Sequence, residues 1–175
     1  MKLYNYLFFF IASSVFSSSV SADINQINAQ LNITYTLHAG TCQFNTDTLQ
    51  FSFGSFTKEE LIAGRGIEIG KELIVDDCSD SFRQITGLRI TDAGGVEIKT
   101  IDGIPQTPGG AKGVLLQLYM KNTSNNELYF PMNAFPIAPT AGTHYTLYAR
   151  LSAPDSSILS AGQVNAVAWL NIDYF

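Results

Sequence analysis

Apolar side chains recur at every second position in two stretches near the two ends of the chain. Ile27, Ala29, Leu31, Ile33, Tyr35 and Leu37 make one, and Val164, Ala166, Ala168, Leu170, Ile172 and Tyr174 make the other. A period of two is that of a β-strand burying one face. The opposite phase of the second run, Gln163, Asn165, Val167, Trp169, Asn171 and Asp173, is mixed polar with two apolar members. Short β-rich runs at 35–44, 49–53, 66–75, 86–91, 113–120, 127–130, 144–151 and 163–174 are predicted as strands. Turn chemistry separates them, notably Asp92-Ala93-Gly94-Gly95, Asp102-Gly103, Pro108-Gly109-Gly110 and residues 122–126. Both phases of 113–120 are largely apolar, which predicts a strand buried on much of both faces. No long stretch has a period of 3.6, and only 57–63 fits a helical turn, with Thr57 as cap and Glu60 three residues on. Many short strands at this spacing predict an all-β sandwich in one domain. The two terminal apolar runs are expected to pair with other chains. The periodicity alone leaves pairing within one chain equally open.

The first residues are read as a targeting segment. Lys2 supplies a positive n-region, residues 3–11 with Val15 and Phe16 an apolar core, and Val20-Ser21-Ala22 a small-residue cleavage pattern. Cleavage after Ala22 would leave about 153 residues (175 − 22), which suits one domain. Export changes the reading of the two cysteines. In an exported protein Cys42 and Cys78 are expected to form a disulfide, stabilising the fold by roughly 3–4 kcal/mol on the chain-entropy account. A metal site fails, because only His38 and His144 are available and neither stands at ligand spacing with a cysteine.

Charge adds little. Charged residues are 14% of the chain, against an ordinary share of about 25%, and the net charge is −5 with no basic stripe. Nucleic acid is therefore not an expected partner. Neither histidine has a serine or cysteine and an acid near it in the pattern of a triad, so no enzyme is expected. Asp76, Asp77 and Asp80 lack the spacing and glycine of a calcium loop, and Gly109-Gly110-Ala111-Lys112-Gly113 lacks the order of a phosphate loop. No cofactor is expected.

Several ordered segments together carry a family resemblance. Behind the leader, an alternating extension leads into Ala39-Gly40-Thr41-Cys42 and then Leu49-Gln50-Phe51-Ser52-Phe53-Gly54. The second cysteine follows in Leu73-Ile74-Val75-Asp76-Asp77-Cys78, a central strand in Gly113-Val114-Leu115-Leu116-Gln117-Leu118, and the last run opens with Ala161-Gly162-Gln163-Val164-Asn165-Ala166 before a penultimate Tyr174. From about Ala22 onward the chain resembles subunits of chaperone–usher pili, the type 1 and P-pilus pilins.

That resemblance implies an incomplete immunoglobulin-like β-sandwich lacking its last strand, completed by a donor strand from another chain. The implied division is a signal peptide at 1–22, a donor extension at 23–34 and a pilin domain at 35–175. Ile27, Ala29, Leu31 and Ile33 would be the donor residues. Ala29 stands where such extensions usually carry glycine, a departure that bears on how closely the backbones approach. Val164, Ala166, Ala168, Leu170, Ile172, Tyr174 and Phe175 would form the acceptor groove and the chaperone contact. The implied partners are a periplasmic chaperone, an outer-membrane usher and neighbouring pilins in a head-to-tail fibre. The protein would pass through the periplasm to a surface fimbrium and support adhesion. The alternative is a self-contained secreted β-sandwich that binds a glycan or protein.

Overall fold

The computed structural model describes residues 26–35, 42–63, 66–78 and 85–174. The leader, His38, Asp80, Phe175 and the side chain of Tyr174 lie outside the described residues. Among the described residues ten strands form: β1 (Gln26–Tyr35), β2 (Cys42–Phe44), β3 (Thr48–Thr57), β4 (Ile67–Cys78), β5 (Ile85–Thr91), β6 (Glu97–Ile98), β7 (Leu115–Lys121), β8 (Glu127–Tyr129), β9 (His144–Ser152) and β10 (Gly162–Tyr174). One short helix, α1 (Lys58–Ala63), follows β3, and a 3-10 turn (Ser156–Ile158) precedes β10. The strands make two sheets, β3-β1-β10-β5-β6 and β2-β4-β9-β7-β8, packed as a sandwich.

The core lies where the inward phases of the two sheets meet. Leu31, Phe51, Leu88 and Ala168 from the first sheet and Leu73, Leu118, Leu147 and Leu151 from the second are fully buried. The buried Thr100 hydroxyl donates to the Leu118 carbonyl at 2.6 Å and accepts from the Phe130 amide at 2.9 Å. That satisfies the one polar side chain enclosed among the described core residues.

Local chemistry sets the joints. At α1 the Thr57 hydroxyl accepts from the Glu60 amide at 3.2 Å, and the Glu60 carboxylate accepts from the Thr57 amide at 2.8 Å. Two orphan amides of the first turn are thereby satisfied reciprocally. The predicted run 35–44 is divided: β1 ends at Tyr35 and β2 starts at Cys42 in the opposite sheet. The two-residue β6 is too short and polar to show as a sequence pattern.

In the single chain the last strand is supplied from within. The place that the family resemblance assigns to a neighbour's strand is filled by β1 of the same molecule, which with β5 flanks β10 among the described residues. β1 runs parallel to β10 and antiparallel to β3, between the two. The physical reason is proximity. A tethered apolar segment is present at an effective concentration that an untethered one rarely reaches, and an unpaired apolar edge in the same molecule offers it burial and backbone hydrogen bonds.

Candidate functional site: the N-terminal strand and the cleft it fills

The alternation of β1 does the positioning. Ile27, Leu31 and Ile33 are 0% exposed and Ala29 is 6% exposed, while Asn28 on the other phase is open to solvent. On β10 the inward phase, Val164, Ala166, Ala168, Leu170 and Ile172, is buried in the same way. The parallel register sets Ala29 beside Val164, Leu31 beside Ala166 and Ile33 beside Ala168. Leu31 and Ile33 thus stand beside alanines on β10, and the methyl-sized side chains leave room for leucine and isoleucine, while at Ala29 the sizes are reversed. On its other edge β1 faces β3, with Leu31 beside Phe51 and Ile33 beside Leu49. The residues read from sequence as donor and acceptor are therefore brought together within one chain. Tyr174 shares the backbone of β10, pairing with Ile85 across a register shift.

Ala29 meets the one irregularity of this strand. It pairs with Gly54, and the β1–β3 register shifts between Ala29 and Gln30. Gly54 has φ +84°, a conformation that favours glycine. The glycine of this pair is on β3, not on β1, and a Cβ there would meet nothing within 4 Å, so the backbone angle and not crowding calls for it. The bulge takes up the extra residue, Phe53, whose side chain turns into the core.

The start of β10 is gripped from the side that β5 does not reach. The Thr107 amide donates to the Asn165 carbonyl at 2.8 Å, and the Ala111 amide donates to the Gln163 carbonyl at 3.0 Å. A Cβ on Gly110 would stand 2.2 Å from the Gln163 carbonyl oxygen, so only glycine permits this approach. At its far end β10 is held by Arg89, whose guanidinium donates from Nε and Nη2 to Asp173 at 2.7 and 2.6 Å. The hydrogen bond to Asp173 raises the Arg89 guanidinium above its ordinary pKa.

Cys42 and Cys78 are bonded, and they face each other in the β2–β4 register. The disulfide fixes the chain just after the link that leads out of β1. It leaves β1 itself held without a covalent cross-link.

Sequence reasoning missed a second cluster, on the outer face of the other sheet. Glu68 accepts from the Tyr119 hydroxyl, from Lys121 Nζ at 2.9 Å and from Arg150 Nη2 at 3.0 Å. Arg150 also donates to Glu127, which accepts from Tyr129 at 2.6 Å. Burial alone would raise the Glu68 carboxyl, but the bonds from Tyr119, Lys121 and Arg150 outweigh it and hold it at about 2. Burial, with the bond to Glu127 adding, pushes the Tyr129 phenol up to about 12. These residues come from four strands, β4, β7, β8 and β9, so no local spacing announces them. His144 is exposed and 3.9 Å from Glu72. Among the described residues no group of three acids, histidines or cysteines is placed to hold a metal ion.

The fold and the cleft define an all-β sandwich whose closing strand is an apolar N-terminal segment. Residues 27–175 match the Fimbrial protein family, and the chain belongs to it. Among solved structures it is similar to an antigen and type I fimbria protein of Burkholderia pseudomallei. That match has 17% identity and a TM-score of 0.41, covering 78% of this chain and 88% of that one. It is also similar to the CupB6 tip adhesin of Pseudomonas aeruginosa, at 11% identity and a TM-score of 0.32 over 85% of this chain. The matched part spans 40% of that adhesin. No curated protein matches the chain in sequence.

Proposed function

We propose that this chain is a structural subunit of a chaperone–usher fimbria, and that β1 leaves its own cleft to complete the sandwich of a neighbouring copy. The supporting observation is the seat of β1. It is an interior strand of its sheet, built from a terminal segment, and it lies outside the disulfide-closed loop of residues 42–78. Ile27, Leu31 and Ile33 each contribute about 1.5–3 kcal/mol by burial, so neither state can leave the cleft empty at low cost. A second copy of β1 can fill it with the same side chains. Head-to-tail filling of this kind is heterologous and does not close, so it builds a filament.

A chaperone has a physical task in this scheme. It covers the cleft in the periplasm until an usher passes the subunit on, and basic chaperone groups would hold the carboxylate of Phe175. The leader of residues 1–22 would deliver the chain there. The filament then stands on the cell surface and supports attachment.

The second reading, a self-contained binding module, is favoured by one observation: the sandwich is already complete within a single chain. The two separate in one experiment. The mature chain lacking residues 23–33 is refolded with and without a peptide of residues 23–35. The proposal expects an aggregating or chaperone-dependent chain that the peptide makes monomeric. It also expects that this truncated subunit still binds a chaperone but cannot add to a growing fibre. Normal incorporation of the truncated chain into fibres would remove β1 as the donor.

A further inference from the structure

We propose that the outward face of β3, β1 and β10 is a docking surface for a neutral polysaccharide. Because β1 and β10 run in parallel register, their outward side chains fall into rows that continue onto β3. Asn28 lies between Gln163 and Ser55, and Gln30 between Asn165 and Ser52. Below them, Asn32 lies between Val167 and Gln50, and Thr34 between Trp169 and Thr48. Four rows at the spacing of same-face strand residues extend about 20 Å.

No side chain in this grid is charged. The three strands together hold a single charged residue, Asp173, which lies beyond the last row and is paired with Arg89. The opposite sheet carries Glu68, Lys71, Glu72, Lys121, Glu127 and Arg150 on its strands. Ordinary domains are about 25% charged residues, so three adjacent strands with one charge among them stand apart in a chain of net charge −5.

The chemistry of the grid selects the partner. Charge depletion marks interaction surfaces in general, but a protein partner needs a buried apolar or aromatic centre. Here the only apolar members are Val167, 47% exposed, and the half-buried Trp169. The remainder are amides and hydroxyls. Each Asn or Gln offers a donor and an acceptor on one rigid plane, which matches adjacent sugar hydroxyls. Gln30 donates to Asn32 at 3.4 Å and Asn165 donates to Gln163 at 3.2 Å. Among the described residues these bonds leave Gln30 Oε1, Asn32 Nδ2, Gln163 Nε2 and Asn165 Oδ1 without a protein partner. The Trp169 indole supplies an apolar plane with a polar edge, suited to the face of a sugar ring. No side chain of the four rows can pair with a sulfate, carboxylate or amine, and Asp173 and Arg89 beyond them are paired with each other, so the sugar that fits the rows is uncharged. An extended sheet face suits a chain of sugars, and at the β3 margin it continues into a cleft of about 370 Å³ lined by Thr48, Gln50 and Ser52 with Ile69 and Lys71.

The grid is complete in the single chain, so this inference does not require strand exchange. In a fibre its central column would come from the neighbouring copy, and a bound polysaccharide would then bridge two subunits.

The test is co-sedimentation of the full mature chain with microcrystalline cellulose, chitin and insoluble mannan, with a carboxymethyl resin as the anionic control. The expected result is co-sedimentation with at least one neutral polysaccharide, retained at about 0.5 M salt because no ion pair contributes. Binding should fall about tenfold or more in Trp169→Ala and in the solvent-facing Asn165→Asp. Asn165→Asp should keep the wild-type melting temperature and its ability to exchange strands. The inference is overturned if none of the three retains the chain above the level of serum albumin, or if both variants bind as the wild type does. It is equally overturned if retention is confined to the anionic resin and released by salt, or if Asn165→Asp disperses oligomers while sugar binding is absent.

Discussion

Leu31 is enclosed on both edges of its strand, by Ala166 on one side and Phe51 on the other. Truncating it to alanine is expected to destabilise the self-closed chain by about 2–5 kcal/mol in denaturant unfolding. Leu31→Arg should slow donation to another subunit sharply, because the same pocket would have to accept a charge; an unchanged rate would mean that another residue enters it. Glu68 carries a prediction about pH. Its carboxyl titrates near 2 in the fold against 4.5 as an unperturbed group. The stability it confers is therefore present above about pH 4.5 and lost as the pH falls toward 2. With the side chain 31% exposed, solvent screening limits that contribution to about 1–2 kcal/mol. Glu68→Gln should reduce the loss of unfolding free energy on the acid limb, between pH 5 and pH 2, by that amount. An acid limb identical to the wild type would show that the cluster is not coupled to folding.

Elements were legible in proportion to how local their causes are. The turn at α1 could be read from Thr57 and Glu60 because the capping box is a four-residue pattern, and Thr57→Ala is expected to cost about 1 kcal/mol in thermal unfolding. β10 and β1 were legible because their alternation is uninterrupted by charge. The Cys42–Cys78 bond followed from export and from the lack of other ligands. The partner of β1 was not legible. Periodicity states which face of a strand is buried, but not which strand buries it. Its parallel orientation also left no trace, since a strand of period two reads alike in both directions. Ala29 shows the same limit: its glycine lies on β3, in a pairing that no sequence spacing fixes. The Glu68 cluster and the grid of amides were missed because each is assembled across several strands.

At the scale of the molecule, one sheet carries the ion-pair cluster around Glu68, while three adjacent strands of the other hold a single charge, Asp173, and are closed by β1. Under the proposed strand exchange such a subunit would have two arrangements with the same contacts, one within a chain and one between chains. Pinning β1 in place separates them. Gln30 and Asn165 are direct neighbours on adjacent strands, about 4.8 Å apart in backbone spacing, which is within reach of a disulfide. The measurement is the rate of multimer formation by the mature Gln30→Cys/Asn165→Cys chain, oxidised and then reduced, with the wild-type chain in the same reductant as control. Strand exchange predicts that the oxidised chain stays monomeric and that reduction restores multimers at the rate of the control. Multimers forming as fast from the oxidised chain as from the reduced one would contradict it.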